Sequence, residues 1–255
     1  MAKSIMVQGV ASGVGKTILT LALCRIFRQD GYKAAPFKAL NLTTNTALVE
    51  GGEIAVSQYL QALAADVIPE KDMNPFVLKP PYGRKIADID EIMAAYKRLS
   101  ERFDVIVLEG AGSPVELNLN RNDMVNMGMA RRANAPVLLV GDIDRGGVFA
   151  SLYGTIALME DWARQRVKAT VINRFMGDPV LFSDGVKIIE EITKLPVAGV
   201  IPYMKVDLPQ EDGLFAEDRT FQIDENYNAS FDTIASTVRQ SLNIDLIHKI
   251  LNTNN

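Results

Sequence analysis

The chain has 255 residues, 48% of them hydrophobic and 23% charged, a balance that can bury the core of one large α/β domain. A net charge of −4 argues against nucleic acid as the main partner, because phosphate backbones require a basic surface. The single cysteine, Cys24, excludes an intramolecular disulfide, and no apolar run is long enough for a signal core or a membrane span. We therefore expect a cytoplasmic protein that binds neither nucleic acid nor membrane.

Strand-length apolar runs alternate along the chain with longer segments of helical periodicity. Strands are expected at 4–9, 33–38, 104–109, 136–141, 167–173 and 197–201, and helices at roughly 15–29, 53–66, 88–102, 122–133, 147–161, 180–193 and 229–252. Because the strands are almost continuously hydrophobic, both of their faces should be covered, as in a parallel sheet. The sequence thus predicts a single doubly wound α/β domain, with a mostly parallel sheet of about six to seven strands flanked by helices.

Two stretches do not follow this alternation. Residues 73–87 carry three prolines and a glycine and are expected to form a loop. Residues 203–228 are acidic and irregular and precede the last helix.

A glycine-rich segment, Gly-Val-Ala-Ser-Gly-Val-Gly-Lys-Thr at 9–17, follows the first strand and opens the first helix. This is the context of a phosphate-binding P-loop, whose backbone N–H groups and helix dipole surround the phosphates of ATP. Five residues, where the usual motif has four, separate Gly9 from Gly15. Lys16 should reach the β- and γ-phosphates, and Thr17 should offer its hydroxyl to Mg²⁺. The expected nucleotide contacts are Gly9, Ser12, Gly13, Val14, Gly15, Lys16, Thr17 and Ile18.

Acidic residues end two of the expected strands, at the edge where α/β sheets bind ligands. Glu109 stands beside the loop and is the stronger candidate for Mg²⁺, while Asp142 ends the next strand and competes with it. Glu53 begins an expected helix, where the helix dipole alone favours an acid. Lys38 closes the second strand and could meet a γ-phosphate or a substrate carboxylate, or be an ordinary exposed lysine.

Several segments together resemble cobyric acid synthase, specifically its N-terminal ATP-dependent amide-forming domain, whose fold also serves cobyrinic acid diamide synthase and dethiobiotin synthetase. The resemblance covers about residues 3–207. Blocks 109–118 (Glu-Gly-Ala-Gly-Ser-Pro-Val-Glu-Leu-Asn) and 142–150 (Asp-Ile-Asp-Arg-Gly-Gly-Val-Phe-Ala) are its most specific parts, and the P-loop and segments 36–41, 73–80, 126–130 and 171–175 support it.

The resemblance implies an activity in which ATP phosphorylates a substrate carboxylate and ammonia displaces the phosphate to form an amide. It implies Thr17, Glu109 and Glu53 as Mg²⁺ ligands, Lys16 and Lys38 as catalytic residues, and a corrinoid among the candidate carboxylates. The implied substrate residues are Lys38, Asn41, Gly112 and Ser113. Asn173, Arg174 and Pro202 would contact the nucleoside.

The chain also departs from this family. The full-length family enzymes carry a C-terminal glutaminase domain with a cysteine and a histidine. Here Cys24 lies in the first expected helix and the only histidine, His248, in the last, so no glutaminase site is expected and ammonia would come from a separate source, for which a separate glutaminase subunit is one candidate. After residue 80 this chain has a shorter segment than the one with which the family helps to receive its substrate. Leu40 stands where the family usually has a glutamine before Asn41. Both departures leave the corrinoid assignment open.

Two alternatives remain at the level of sequence. One is an ATPase switch like ParA or MinD, although no lysine or arginine lies between Gly9 and Gly15, where such switches usually carry one. The other is an ATP-binding relative that has lost amidation. The resemblance further implies a homodimer in which part of segment 144–153, with Arg145, meets a partner chain; the alternative is that its apolar residues pack only on their own sheet.

Overall fold

The computed structural model describes residues 1–79, 87–118, 123–206, 208 and 227–253. The strands are β1 (Lys3–Gly9), β2 (Ala34–Phe37), β3 (Leu40–Leu42), β4 (Thr46–Val49), β5 (Gly52–Ala55), β6 (Phe76–Leu78), β7 (Val105–Glu109), β8 (Val137–Asp142), β9 (Val167–Phe175) and β10 (Val197–Pro202). The helices are α1 (Lys16–Gln29), α2 (Val56–Ala64), α3 (Ile89–Ser100), α4 (Met127–Arg132), α5 (Val148–Leu158), α6 (Asp161–Arg164), α7 (Ser183–Thr193), α8 (Tyr227–Ser241) and α9 (Ile244–Leu251).

The central sheet has six parallel strands in the order β10-β9-β8-β1-β7-β2. Alternate side chains of each strand enter opposite cores, so that Ile5 and Val7 of β1 pack on one face and Met6 on the other. Helices α1, α8 and α9 cover the first face, and α3, α4, α5 and α7 cover the second. The predicted parallel, two-sided sheet is confirmed. None of the helices among the described residues has the length and apolarity needed to cross a membrane.

The segment between β2 and α3 differs most from the prediction. Residues 53–55, expected as the start of a helix, belong to β5, which pairs antiparallel with β4, so α2 begins only at Val56. Residues 76–78, expected within a loop, form β6 and pair in parallel with β3. The strands of the hairpin and of the short parallel pair have only three or four residues each, too few to show a period of two in the sequence. The helical periodicity of the following segment therefore predicts a helix that starts too early. The rest of the expected 73–87 loop, from 80 to 86, lies outside the described residues.

Two other helix boundaries were also wrong. The helix expected at 122–133 begins at Met127, because residues 123–126 form a turn in which the Asp123 carboxylate accepts three backbone N–H groups. The expected 229–252 helix is two helices, α8 and α9. They separate where Asn243 caps α9 by accepting from the N–H of Leu246. Most of the segment 203–228 lies outside the described residues.

Candidate nucleotide and magnesium site

The P-loop follows β1 and leads into α1, as predicted. Gly13 and Gly15 have positive φ values of 71° and 97°, and these turns direct the loop into the helix. The ammonium of Lys16 folds back and donates to the carbonyls of Ala11 (2.9 Å) and Gly112 (3.0 Å). A lysine that closes the mouth of its own loop is placed to exchange these carbonyls for phosphate oxygens.

The carboxylate of Glu109 is the centre of a buried polar cluster, with 2% of the residue exposed. Its Oε1 accepts from Thr17 Oγ1 and from Lys38 Nζ, both at 2.9 Å. Its Oε2 accepts from Gln61 Nε2 at 2.6 Å and, more weakly, from Gln58 Nε2 at 3.4 Å. The fold therefore brings three residues from distant parts of the sequence, Thr17, Lys38 and Glu109, into direct contact.

The cluster continues toward the expected substrate side through the buried amide of Asn41. This amide donates to Gln58 Oε1 at 3.0 Å, and Ser57 Oγ donates to the same oxygen at 2.9 Å. With its oxygen occupied by these donors, the Gln58 amide can present only its NH₂ group to Glu109. Asn41 is thus joined to the metal candidate through one glutamine.

Asp142, the competing metal candidate, is enclosed by cations. Its Oδ2 accepts from Arg174 Nη1 at 2.7 Å and lies 3.3 Å from Arg145 Nε, and its Oδ1 accepts from the N–H of Asp144. Arg174 reaches it from a left-handed backbone conformation, φ 60°, which is unfavourable for a residue with a side chain. The geometry makes this acid the anchor of two arginines and does not favour a metal there.

Glu53 is placed differently from the expectation. It lies on β5 and does not begin a helix, and its Oε2 accepts from Thr46 Oγ1 (2.9 Å) and from Lys79 Nζ (2.6 Å). The hydrogen bond from Lys79 is the main cause that lowers the pKa of this half-exposed carboxyl. The residue is therefore ionised and paired at neutral pH, and its role as a metal ligand stays a prediction.

The residues expected at the nucleoside lie at the ends of β9 and β10. Asn173 donates its amide to the carbonyl of Val14 at 2.8 Å, and it lies so close to Gly15 that a Cβ there would be 2.1 Å from the Asn173 nitrogen. Asn173 thus braces the P-loop backbone, and its contact with adenine stays a prediction. Arg174 donates to Asp142, and Pro202 is the last residue of β10. The nucleoside contacts of Arg174 and Pro202 also stay predictions.

The loop after Glu109 is held in shape by the side chain of Asn126. Its amide donates to the carbonyls of Ala111 (2.8 Å) and Ser113 (3.1 Å), and its oxygen accepts from the N–H of Ala111. Gly112 has φ 59°, and a Cβ there would lie 3.8 Å from Ser12 Oγ, so this loop faces the P-loop. The expected substrate residues Gly112 and Ser113 therefore lie in a loop beside the P-loop, and their contact with substrate stays a prediction.

Cys24 and His248 are engaged separately. Burial in the core raises the pKa of the Cys24 thiol, which opposes formation of a nucleophilic thiolate. The ring of His248 packs on Phe27 and Tyr32, and its Nε2 bonds to Asp30 at 2.9 Å. Both residues thus have packing roles in the described structure.

The site also contains residues that the sequence analysis did not select. Gln58 and Gln61 are fully buried and three positions apart in helix α2, and two amides at helical spacing in a mostly apolar segment indicate a shared polar partner. Asn126 and Gln8, also buried, carried no comparable signal. The Gln8 side chain occupies the space that a Cβ at Gly110 would need, so it fixes the backbone just after Glu109.

The donor set fits Mg²⁺ bound to a nucleotide. The described residues contain no cluster of three His, Cys, Asp or Glu side chains that could enclose a metal. Mg²⁺ in phosphate-transfer sites needs no such cluster, since it takes one or two protein oxygens together with phosphate oxygens and water. Thr17 and Glu109 supply one hydroxyl and one carboxylate in contact with each other.

Comparison with known proteins is consistent with this geometry. The model of the AAA domain family matches residues 3–209. The chain belongs to this family. Among curated relatives of this AAA domain, the cobyric acid synthase of Citrobacter koseri is 47% identical over 237 residues, covering 84% of the chain and 47% of the relative. The cobyric acid synthase of Yersinia enterocolitica is 46% identical over 242 residues, covering 86% and 47%.

The resemblance to cobyric acid synthase is thus confirmed, and the chain spans about half the length of the curated relatives it matches. Among solved structures, the MinD cell division protein of Aquifex aeolicus has a TM-score of 0.47 at 15% identity, covering 80% of this AAA domain chain and 83% of that chain.

Proposed function

We propose that this chain catalyses the ATP- and Mg²⁺-dependent amidation of a carboxylate through an acyl phosphate, in the assembly of corrinoids. The observation that carries the proposal is the contact of Lys38, Glu109 and Thr17 at the mouth of a P-loop. The relatives named cobyric acid synthase support the reaction class and the corrinoid substrate.

The reaction requires that an unreactive carboxylate become an electrophile. A carboxylate oxygen of the substrate attacks the γ-phosphorus of ATP, ADP leaves, and an acyl phosphate forms. Ammonia then attacks the acyl carbon, the C–O bond to phosphate breaks, and the proton lost from nitrogen passes to the departing phosphate, so that amide and hydrogen phosphate are released. Phosphoryl transfer of this kind depends on positioning and charge neutralisation more than on covalent help from the protein.

The residues of this chain divide these tasks by position. Lys16 neutralises the β- and γ-phosphates when it leaves the carbonyls of Ala11 and Gly112. Thr17 and Glu109 would hold Mg²⁺, which would supply charge neutralisation at the phosphates. Lys38, which bonds to Glu109 in the structure, orients the substrate carboxylate beside the γ-phosphate.

The proposal is tested by ADP release in the presence of ammonium chloride and a panel of corrinoid and small carboxylates, with mass spectrometry of the products. We expect ADP release that depends on one carboxylate class, matched by an equal amount of an amide 1 Da lighter than the acid. We expect glutamine not to replace ammonium with this chain alone, since Cys24 is buried in the core and His248 bonds to Asp30. ADP release that no carboxylate stimulates would instead support an ATPase switch or an ATP-binding relative without amidation.

We propose in addition that the chain forms a homodimer through the exposed part of segment 144–153. Val148 and Leu152 are buried in the chain's own core, whereas Tyr153 is 53% exposed and Phe149 is half-buried against the ring of Phe182. A twofold contact repeats each interaction, so one inserted charge acts twice. Tyr153→Asp should reduce a dimeric light-scattering mass at micromolar concentration to that of one chain, while Lys97→Asp on α3 should not. A single-chain mass for the parent protein would reject the dimer.

A further inference from the structure

A cavity of about 340 Å³ lies at the edge of the sheet opposite the P-loop. Pro136 and Lys168, which line it, stand where β8 and β9 begin, whereas the P-loop follows the end of β1. Because a strand rises about 3.3 Å per residue, roughly 20 Å of strand separates the two edges. The cavity is therefore independent of the proposed catalytic site.

Three cations from separate elements line this cavity, namely Arg131 of α4, Arg166 before β9, and Lys168 within β9. Within the part of the chain that the structure describes, none of the three forms an ion pair with a carboxylate. The acids nearest in sequence are otherwise engaged: Glu160 accepts from the Trp162 indole, and Asp161 pairs with Arg164. The cavity thus concentrates positive charge without an internal counterion.

The arrangement of the two guanidinium groups also indicates a preformed site. Arg131 is held over the ring of Trp162, 5.3 Å from its centroid, and Arg166 donates to Asn134 Oδ1 at 3.4 Å. Burial and, next, the neighbouring charge of Arg131 lower the pKa of the Arg166 guanidinium. Two planar guanidinium groups and a lysine suit an anion with several oxygens, since arginine binds carboxylate and phosphate in a bidentate manner.

We propose that the cavity lined by Arg131, Arg166 and Lys168 binds a small multivalent oxyanion, carried on carboxylates or on phosphates. The cavity lies in the size range of small-ligand sites. Charge-assisted hydrogen bonds from three cations are sufficient for a dissociation constant of about 1 mM or lower.

The chain supplies its own reporter, because Trp162 is its only tryptophan and lines the cavity. The full chain is titrated with trisodium citrate and, separately, with sodium pyrophosphate, without Mg²⁺ and at ionic strength held constant with NaCl. We expect a saturable change in tryptophan emission with at least one anion, and the anion that binds identifies the carboxylate or phosphate class. Lys16→Ala should respond like the parent, since the P-loop is remote from the indole.

Arg166→Gln should weaken the apparent affinity roughly tenfold, and Lys168→Gln should act in the same direction. Lys187→Gln, which removes an exposed lysine paired with Asp184 outside the cavity, is the matched control and should bind like the parent. A rise in Tm with the same anion, reduced in Arg166→Gln, is the second readout. No saturable signal in either readout, or equal binding by Arg166→Gln and the parent, would overturn the proposal.

Discussion

The ends of β7 and β8 present the same sequence signature but different chemistry. Each strand neighbours β1, and each ends in a buried acid, Glu109 or Asp142. Glu109 is surrounded by a hydroxyl, two amides and one lysine, whereas Asp142 is shared by two arginines.

This difference determines which acid remains available to a cation. Among the partners of Glu109 only Lys38 is charged, so a single cation balances this carboxylate, and we expect Mg²⁺ to take its place. Two guanidinium groups more than balance the charge of Asp142, and removing that acid would leave both cations without a partner. Whether an acid at a strand end is a metal candidate therefore depends on the side chains that it contacts.

The largest effect is expected from Lys16→Ala, at the mouth of the loop beside Glu109. ATP turnover should fall roughly 10³-fold, because no other side chain of the P-loop can neutralise the γ-phosphate. The fold should survive, since the lysine bonds to loop carbonyls at the surface of the core. ADP release and thermal unfolding measure the two quantities, with Lys187→Ala as control. Unchanged turnover would contradict the P-loop assignment.

Lys38→Met tests the buried ion pair between Lys38 and Glu109. The substitution leaves Glu109 buried with neutral partners only, and breaking a buried pair from one side costs about 3 kcal/mol. We expect that loss in the free energy of unfolding by denaturant titration, and about a 10²-fold loss in turnover. Lys79→Met, which breaks the half-exposed pair with Glu53, is the control and should cost about 1 kcal/mol or less. Equal losses for the two would refute a special role for Lys38.

Gln61→Leu should have an intermediate effect. The amide positions Glu109 through a 2.6 Å hydrogen bond, and loss of such a positioning partner weakens metal binding about 10- to 100-fold. The Mg²⁺ concentration that gives half-maximal turnover should rise by that factor while the maximal rate changes less. Gln29→Leu, at an exposed amide of α1, controls for loss of a glutamine. An unchanged Mg²⁺ requirement would show that Gln61 does not position Glu109 for the metal.

Asp142→Asn should have the smallest effect on turnover, within about threefold, because among the described residues this acid contacts Arg174, which is expected at the nucleoside, and none of the predicted phosphate or metal residues. The substitution should instead lower the free energy of unfolding by about 1–3 kcal/mol. Denaturant midpoints and ADP release on the same sample separate the two. A loss of turnover greater than that of Lys38→Met would reverse the comparison between the two strand ends.

The central sheet was predictable because its strands are continuously apolar and alternate with amphipathic helices. The P-loop was predictable because its residues are consecutive. The segment between β2 and α3 was not, since strands of three or four residues carry too little periodicity to compete with the helical pattern that follows.

The rest of the site was not predictable because it depends on which side chains are paired. Nothing local in the sequence shows that Lys79 pairs with Glu53, that Arg174 pairs with Asp142, or that Gln61 reaches Glu109. These contacts join residues 26, 32 and 48 positions apart, and they depend on the packed fold.

The most direct test of the difference between the two acids is the affinity for a fluorescent ATP analogue, measured with and without Mg²⁺. The parent chain, Glu109→Gln and Asp142→Asn are compared under identical conditions. Mg²⁺ should tighten binding to the parent and to Asp142→Asn by the same factor, and should tighten binding to Glu109→Gln at least tenfold less. If Mg²⁺ still tightened binding to Glu109→Gln and no longer did so for Asp142→Asn, the metal would belong to the end of β8 and the account given for Glu109 would be wrong.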